Sequence, residues 1–273
     1  MSRIRRPALW IFVALAVALS MFPFYWMLRT SIAPADEIFF DGLSILPQNP
    51  SLEAYGRAWT GGSVGHAMGV GLIVCVLILA LQLATCIPAA FVLAKAKRAW
   101  TGKVFAFVLV CLLVPSQVTM VPLFIGLNQA GLADTLASLV LPFSTSVLGI
   151  FMIRQQMMAI PTALMEAAEM DGLGPVRTLF SVAIPMAKPG IAAFSVYSIF
   201  VHWNDYMWPL LIARSPELAT PPLALAIFQD AATGFDYSAL AAGAAIVTLP
   251  IVLLFLIAQK QFVQGMSGTE VTG

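Results

Sequence analysis

Charge is scarce in this sequence. Lysine, arginine, aspartate and glutamate together make up 10% of its 273 residues, where a water-soluble domain carries nearer a quarter. That scarcity excludes an ordinary soluble globular domain. The net charge of +1, with no basic cluster backed by aromatics, gives no footprint for nucleic acid. Cysteine is also rare: Cys75, Cys86 and Cys111 all lie in apolar runs without CxxC or Cys/His spacing, so they read as small core residues. The two histidines, His66 and His202, lack a second ligand at metal spacing. No phosphate-binding loop occurs, since Gly172–Thr178 (GLGPVRT) lacks both the lysine and the spacing of one. Paired catalytic groups at membrane depth are missing too, because Asp205 is the one acidic residue inside an expected span. The chain is therefore expected to be non-catalytic and to bind no metal or cofactor of its own.

What the sequence has is apolar length. Hydrophobic residues form 60% of it, and the mean hydropathy is +0.91. Six runs approach or exceed the roughly 20 residues that cross a bilayer core. They lie at about Ala8–Leu28, Ala67–Ala94, Val104–Phe124, Ala137–Ile153, Gly190–Ala213 and Ala239–Ala258. Backbone groups in lipid must be satisfied within the segment, and no period-2 alternation marks a barrel. The fold class is thus an all-α membrane protein of six transmembrane helices. The first run outlasts the short apolar core of a cleavable signal and is expected to be retained.

Basic residues set the orientation. Arg3, Arg5, Arg6, Lys95, Lys97, Arg98, Lys103, Arg154, Arg177, Lys188 and Lys260 fall on one side. The other side has Arg29, Arg57 and Arg214, with Asp36, Glu37, Asp41, Glu53, Asp134, Glu217, Asp230 and Asp236. Both termini are expected in the cytoplasm. Trp10, Trp26, Trp100, Trp203 and Trp208 lie near span ends, as interface anchors do.

The long loop Pro161–Gly190, PTALMEAAEMDGLGPVRTLFSVAIPMAKPG, carries the most information. Thr162 is placed to cap a short helix running to Asp171, which Gly172 stops. Pro175 suits the first position of a second helix, predicted to run to Ile184 and end at Pro185. Leu179, Phe180 and Val182 would then expose apolar surface beside Glu166, Glu169 and Asp171. Such a patch serves either as a docking site for another protein or as a face packed on the membrane surface or the chain's own helix ends.

One pattern in this loop is specific. Glu166-Ala167-Ala168, three residues, Gly172, nine residues and Val182-x-Ile184-Pro185 resembles the EAA loop of importer-type ABC transporter permeases. Val182 and Ile184 replace the usual Ile and Leu and keep the apolar character. Trp203-Asn204-Asp205-Tyr206-Met207-Trp208-Pro209 resembles a segment of the carbohydrate-type, maltose-permease-like second subunit, and is similar to glycerol-3-phosphate permeases as well. Tyr55, Trp59 and Phe228-Gln229 fit that group. The tail Gln259–Gly273 departs from the family ending at Met266 and from Gly268 onward, where the usual lysine is missing.

The resemblance implies a type I importer fold. Its parts would be a first helix and external loop at 1–66, a five-helix core at 67–259 containing the EAA loop at 161–190, and a cytoplasmic tail at 260–273. It implies partners: a homologous second permease, two ATP-binding subunits that hold ATP and magnesium, and an external solute-binding protein, in a bacterial inner membrane. Glu166, Ala167, Ala168, Asp171, Gly172, Pro175, Leu179, Phe180 and Pro185 would couple to the ATPase. Trp203, Asn204, Asp205 and Tyr206, with Gln117, are the candidates for a substrate pathway. Sugars or oligosaccharides are the implied cargo, and glycerol-3-phosphate or a related polyol phosphate the alternative. A secondary carrier or membrane enzyme would need more ionisable intramembrane groups than this chain has.

Overall fold

A computed structural model describes residues 5–34, 37–38, 45–96, 98–229 and 234–267. Arg3, Asp36, Asp41, Lys97, Asp230 and the tail from Gly268 lie outside the described residues, as do the side chains of Arg5, Arg6 and Lys260. Every regular element among the described residues is helical. In chain order they are α1 (Arg5–Ile32), α2 (Glu53–Gly56), α3 (Val64–Lys95), α4 (Ala99–Cys111), α5 (Ser116–Gln129), α6 (Leu136–Val140) and α7 (Val147–Met158). Then follow α8 (Thr162–Met170), α9 (Pro175–Thr178), α10 (Ile184–Trp203), α11 (Met207–Ile212), α12 (Pro221–Ala224) and α13 (Tyr237–Ser267).

Among the described residues, four helical stretches are long and apolar enough to cross a membrane: Leu9–Ile32, Val64–Lys95, Pro175–Trp203 and Tyr237–Gln259. The remaining two expected spans are broken. The run expected at Val104–Phe124 is two helices, α4 and α5, bent by 94°. Pro115 ends the first and starts the second, since its ring disfavours helical backbone at Val114. The run expected at Ala137–Ile153 bends by 44° between Phe143 and Val147. Counting each bent pair as one span gives six.

The chain divides into two compact units. One comprises residues 1–68 and 221–250. In it a wide π turn at Arg57–Gly61 follows α2, Ser238 Oγ donates to the Ala33 carbonyl (2.7 Å), and Arg57 Nε donates to Asp236 Oδ2 (2.8 Å). Trp59 packs over Gly65 and Phe228 over Gly62, so the aromatics singled out in the sequence serve as packing here.

The other unit comprises 69–220 and 251–273. One of its cores joins α3, α7 and α10 through Cys86, Ala90, Ile153, Met157, Ala183, Ala187 and Phe194. A second, at Val74, Ile78, Leu139, Val140, Trp208 and Ile212, gathers α3, α6 and α11. Lipid tails are as apolar as leucine, so membrane helices gain by close approach of small residues. The α7–α10 contact follows that rule. A Cβ on Gly149 would sit 2.5 Å from the Phe194 ring, and one on Gly190 would sit 2.1 Å from Gln156 Cγ.

Gly149→Val is therefore expected to overpack this seam at a cost of about 1–3 kcal/mol. Gly126→Ala, whose Cβ meets nothing within 4 Å, serves as the neutral control. Thermal unfolding of the detergent-solubilised protein is the measurement; equal midpoints for the two variants would contradict the close contact.

Candidate functional site

The loop after α7 is fixed at its base by two crossed contacts. Lys95 Nζ, at the end of α3, donates to the Ile160 carbonyl just before Pro161 (2.7 Å). Arg154 Nε, on α7, donates back to the Leu93 carbonyl (3.1 Å), while its guanidinium carbon lies 3.7 Å from the centroid of the Phe105 ring. Both carbonyls belong to helix ends, where acceptors lack intrahelical partners and a cation is favoured. Two basic residues counted in the sequence only for orientation thus hold the loop in place.

The first helix of the loop, α8, begins at Thr162 with Pro161 in the capping position and no side-chain cap, so Thr162 is the first helical residue and not the cap expected for it. Its end follows the sequence expectation. Gly172 takes φ +74°, Leu173 N–H donates to the Ala168 carbonyl and Gly172 N–H to the Glu169 carbonyl (both 3.0 Å). This pair of bonds is a Schellman stop, and a left-handed residue there favours glycine.

The second helix differs from expectation. It does not end at Pro185. From Pro175 to Trp203 the chain stays helical, passing through a π turn at Leu179–Ala183 directly into α10. Proline removes one N–H and its ring crowds the preceding turn; widening that turn to an i→i+5 register absorbs both. The second half of the loop, from Pro175, is consequently the first part of the same helix that forms the fifth span.

Burial sorts the loop residues. Leu179, expected to be exposed, is 6% exposed and belongs to the core with Ala183; Ala168 is also buried, and Val182 is half-buried. These hold the loop to the bundle. The outward face carries Met170 (86% exposed), Val176 (69%) and Phe180 (65%), with Glu166, Ala167, Glu169, Asp171, Gly172, Pro175 and Pro185 also exposed. Large apolar side chains standing in the open beside three carboxylates are the composition of a contact surface.

The second group of candidates sits at helix breaks. After Trp203 the fifth span stops, and α11 starts at Met207. Trp203 is buried, which removes it as an open stacking surface. Asn204 Nδ2 donates to the Phe200 carbonyl (2.7 Å), closing the end of α10. Asp205 Oδ1 accepts the Trp208 N–H (3.3 Å), capping the start of α11. Tyr206 stays exposed, and Gln117 is exposed on the first turn of α5 at the other break. Asn204 and Asp205 thus make hydrogen bonds at the helix ends of this unit, and Asn204, Tyr206 and Gln117 are exposed.

Some polar groups were missed by the sequence reading. Ser198 Oγ donates to Gln82 Oε1 (2.7 Å) in a fully buried pair, and Gln82 Nε2 lies 3.2 Å from His202 Nε2. The His202 ring packs on Phe143 (4.8 Å), which meets Trp208 edge-on, while Trp208 Nε1 donates to the Ser138 carbonyl (2.9 Å). This staple ties α3, α6, α10 and α11; Gln82, a lone amide in an apolar helix, was its one visible signal. Asp134, at φ +56°, accepts from Arg214 N–H (2.8 Å), Ser215 N–H (2.9 Å) and the Ser215 hydroxyl. The Ser215 hydroxyl and the two backbone donors hold this carboxyl below its ordinary value of 3.8.

Two outcomes are expected. Gly172→Ala strains a left-handed residue by about 1–2 kcal/mol, so hydrogen exchange at the Leu173 amide should speed about tenfold; unchanged exchange would contradict the Schellman stop. The Asp134 bonds are fully formed above the unfolded carboxyl value and are lost as pH falls through the lower folded one. Relative to Asp134→Asn, the wild-type chain should therefore lose stability on acidification below about pH 4. A melting difference that ignores pH would contradict that assignment.

Comparison with known proteins identifies the architecture. Residues 86–268 match the family model described as binding-protein-dependent transport system inner membrane component. The chain is 30% identical over 278 residues to the arabinooligosaccharides transport system permease protein of Bacillus subtilis, covering 98% of this chain and 96% of that one. It is 36% identical over 167 residues to the lactose transport system permease protein of Rhizobium radiobacter, covering 61% of each. With the sn-glycerol-3-phosphate transport system permease protein of Brucella abortus it shares 29% identity over 94% of both. A solved bacterial ABC transporter involved in import of the acidic polysaccharide alginate superposes with a TM-score of 0.85 at 19% identity, over 94% of this chain and 96% of the other. A fold of six apolar spans, a family match over most of the chain and a relative aligned along nearly its whole length agree: the chain belongs to the binding-protein-dependent transport system inner membrane components, the permease subunits of ABC transporters.

Proposed function

We propose that this chain imports a carbohydrate, forming half of a translocation pathway and coupling it to separate ATPase subunits through the loop Pro161–Gly190. The observation that carries the proposal is the continuity of Pro175–Trp203, which joins the exposed ridge at Val176 and Phe180 to the fifth span without a joint. A force applied to Phe180 is delivered along the helix axis, not dissipated in a hinge. Phe180, Val176 and Met170 are apolar anchors for a cleft on the ATPase, and Glu166, Glu169 and Asp171 supply a charged rim. Pro175 starts the lever, Pro185 and its wide turn set its angle, and Ala167 and Gly172 leave room for the partner to approach. Lys95 and Arg154 position the base.

The assembly expected is this chain, a homologous second permease, two ATP-binding subunits holding ATP and magnesium, and an external binding protein. This chain would bind no cofactor. Both termini and the loop would face the cytoplasm, in keeping with the basic residues on that side. Closure of the ATPase pair would rock the bundle between its two access states.

Sugar is favoured over a polyol phosphate on one ground, the chemistry of the pathway candidates. Relatives named for arabinooligosaccharides and lactose are among the matches, alongside that named for sn-glycerol-3-phosphate. None of the pathway candidates Asn204, Asp205, Tyr206 and Gln117 is a cation, whereas amide, carboxylate and phenol groups suit hydroxyls.

Phe180→Asp places a charge where an apolar anchor is needed. ATP-dependent uptake by the reconstituted complex should fall at least tenfold, since a hot-spot anchor carries about 2 kcal/mol or more. Normal uptake would remove the ridge from the coupling surface. Competition with unlabelled sugars and with glycerol-3-phosphate in the same vesicles tests the cargo. Inhibition by glycerol-3-phosphate alone would overturn the sugar assignment.

A further inference from the structure

Gln82 is an amide in the middle of an apolar helix, the 32-residue α3, and it is 3% exposed. Its carbonyl oxygen accepts the Ser198 hydroxyl (2.7 Å), and its nitrogen lies 3.2 Å from His202 Nε2. Both ends of the amide are thereby used. Ser198 and His202 stand one turn apart on the same face of α10, so two directional contacts fix the rotation of that helix about its axis at its last turn. A leucine would fill the same place without desolvating an amide, and hydrogen bonds between membrane helices return little stability. Register is what a buried polar pair supplies and an apolar one does not.

The helix end held in this way leads into the break that carries the pathway candidates. Beyond the break, Trp208 is held as well: its Nε1 donates to the Ser138 carbonyl (2.9 Å), and the Phe143 ring that meets it edge-on also packs on His202 (4.8 Å). Asn204, Asp205 and Tyr206 thus lie between two fixed points, of which Gln82 anchors the first. We propose that Gln82 is a positioning residue of the translocation pathway. Through Ser198 and His202 it sets the rotation of the last turn of α10, and so presents Asn204 and Tyr206, both exposed, to the pathway. This role rests on Asn204 and Tyr206 being pathway groups. Gln82 itself is buried and acts only through the helix it holds.

The test uses the complete transporter complex in lipid nanodiscs, with the native cysteines replaced and either Tyr206→Cys or Gln117→Cys introduced. Modification by a water-soluble, membrane-impermeant methanethiosulfonate is followed with and without ATP. Tyr206→Cys should be modified in at least one nucleotide state. Adding Gln82→Met, close in volume and apolar, should slow that modification about three- to tenfold, the shift that losing one such pair within a membrane gives. Ser198→Ala should slow it to a similar extent, and the double variant no further, because either change alone opens the same clamp. Gln117→Cys, at the other break, should react at one rate in all these backgrounds. Three results would overturn the role of Gln82 alone. They are an unslowed reaction of Tyr206→Cys in either variant that assembles, slowing that adds in the double variant, and an equal change at Gln117→Cys, the mark of a bundle disturbed as a whole. No modification of Tyr206→Cys in either nucleotide state would instead remove Tyr206 from the pathway, and the positioning role would fall with it.

Discussion

A backbone carbonyl or N–H left unpaired in a bilayer costs several kcal/mol, and three helix irregularities of this protein are shaped by that penalty. The chain answers it in three ways. Where the helix pair α6–α7 breaks, Thr85 Oγ1 donates to the Ser144 carbonyl (2.9 Å), Cys86 Sγ meets the Ser146 N–H (3.4 Å), and Ser146 caps α7. Where α10 gives way to α11, Asn204 closes one end and Asp205 opens the other. Where Pro185 would break a helix, the chain widens a turn and continues.

The third answer has the largest functional consequence. A broken helix would hinge at the loop, and motion begun at Phe180 would be lost at Pro185. In the proposed coupling, a continuous Pro175–Trp203 helix would carry it into the bundle, where Gly149 and Gly190 let α7 and α10 approach closely around Phe194 and Gln156. Lys95 fastens the other end of the loop to α3, and Arg154 ties α7 to α3 beside it. The loop is thus held at its base by charge on helix-end carbonyls and at its exit by unbroken hydrogen bonding.

Much of this was legible in the sequence because the bilayer imposes length and polarity so strictly. Six apolar runs, the loop between the fourth and fifth, and the stop at Gly172 could all be read directly. The failures share a cause. Proline was read as a terminator at Pro185, because a local rule does not include the option of a π turn supported by packing of Leu179 and Ala183. The 94° bend after Cys111 was hidden in an apolar run whose one sign was Pro115. Periodicity cannot decide which face of a short helix turns inward, so Leu179 was taken as exposed and Trp203 as open. That Asn204 and Asp205, the pathway candidates of the fifth span, also make the hydrogen bonds of a helix break could not be read from the span alone. The pairing of Gln82 with Ser198 across 116 positions is tertiary information that no local pattern contains.

If the proposed coupling holds, the loop from Pro175 and the fifth span move as one body. Pulsed electron paramagnetic resonance between spin labels at positions 180 and 201, in the reconstituted complex with the native cysteines replaced, measures it directly. The two sites lie roughly 30 Å apart along a helix rising 1.5 Å per residue. The account predicts one narrow distance distribution, unchanged between the nucleotide-free and ATP-bound states. A shift of several ångströms, or a second population on adding ATP, would contradict it.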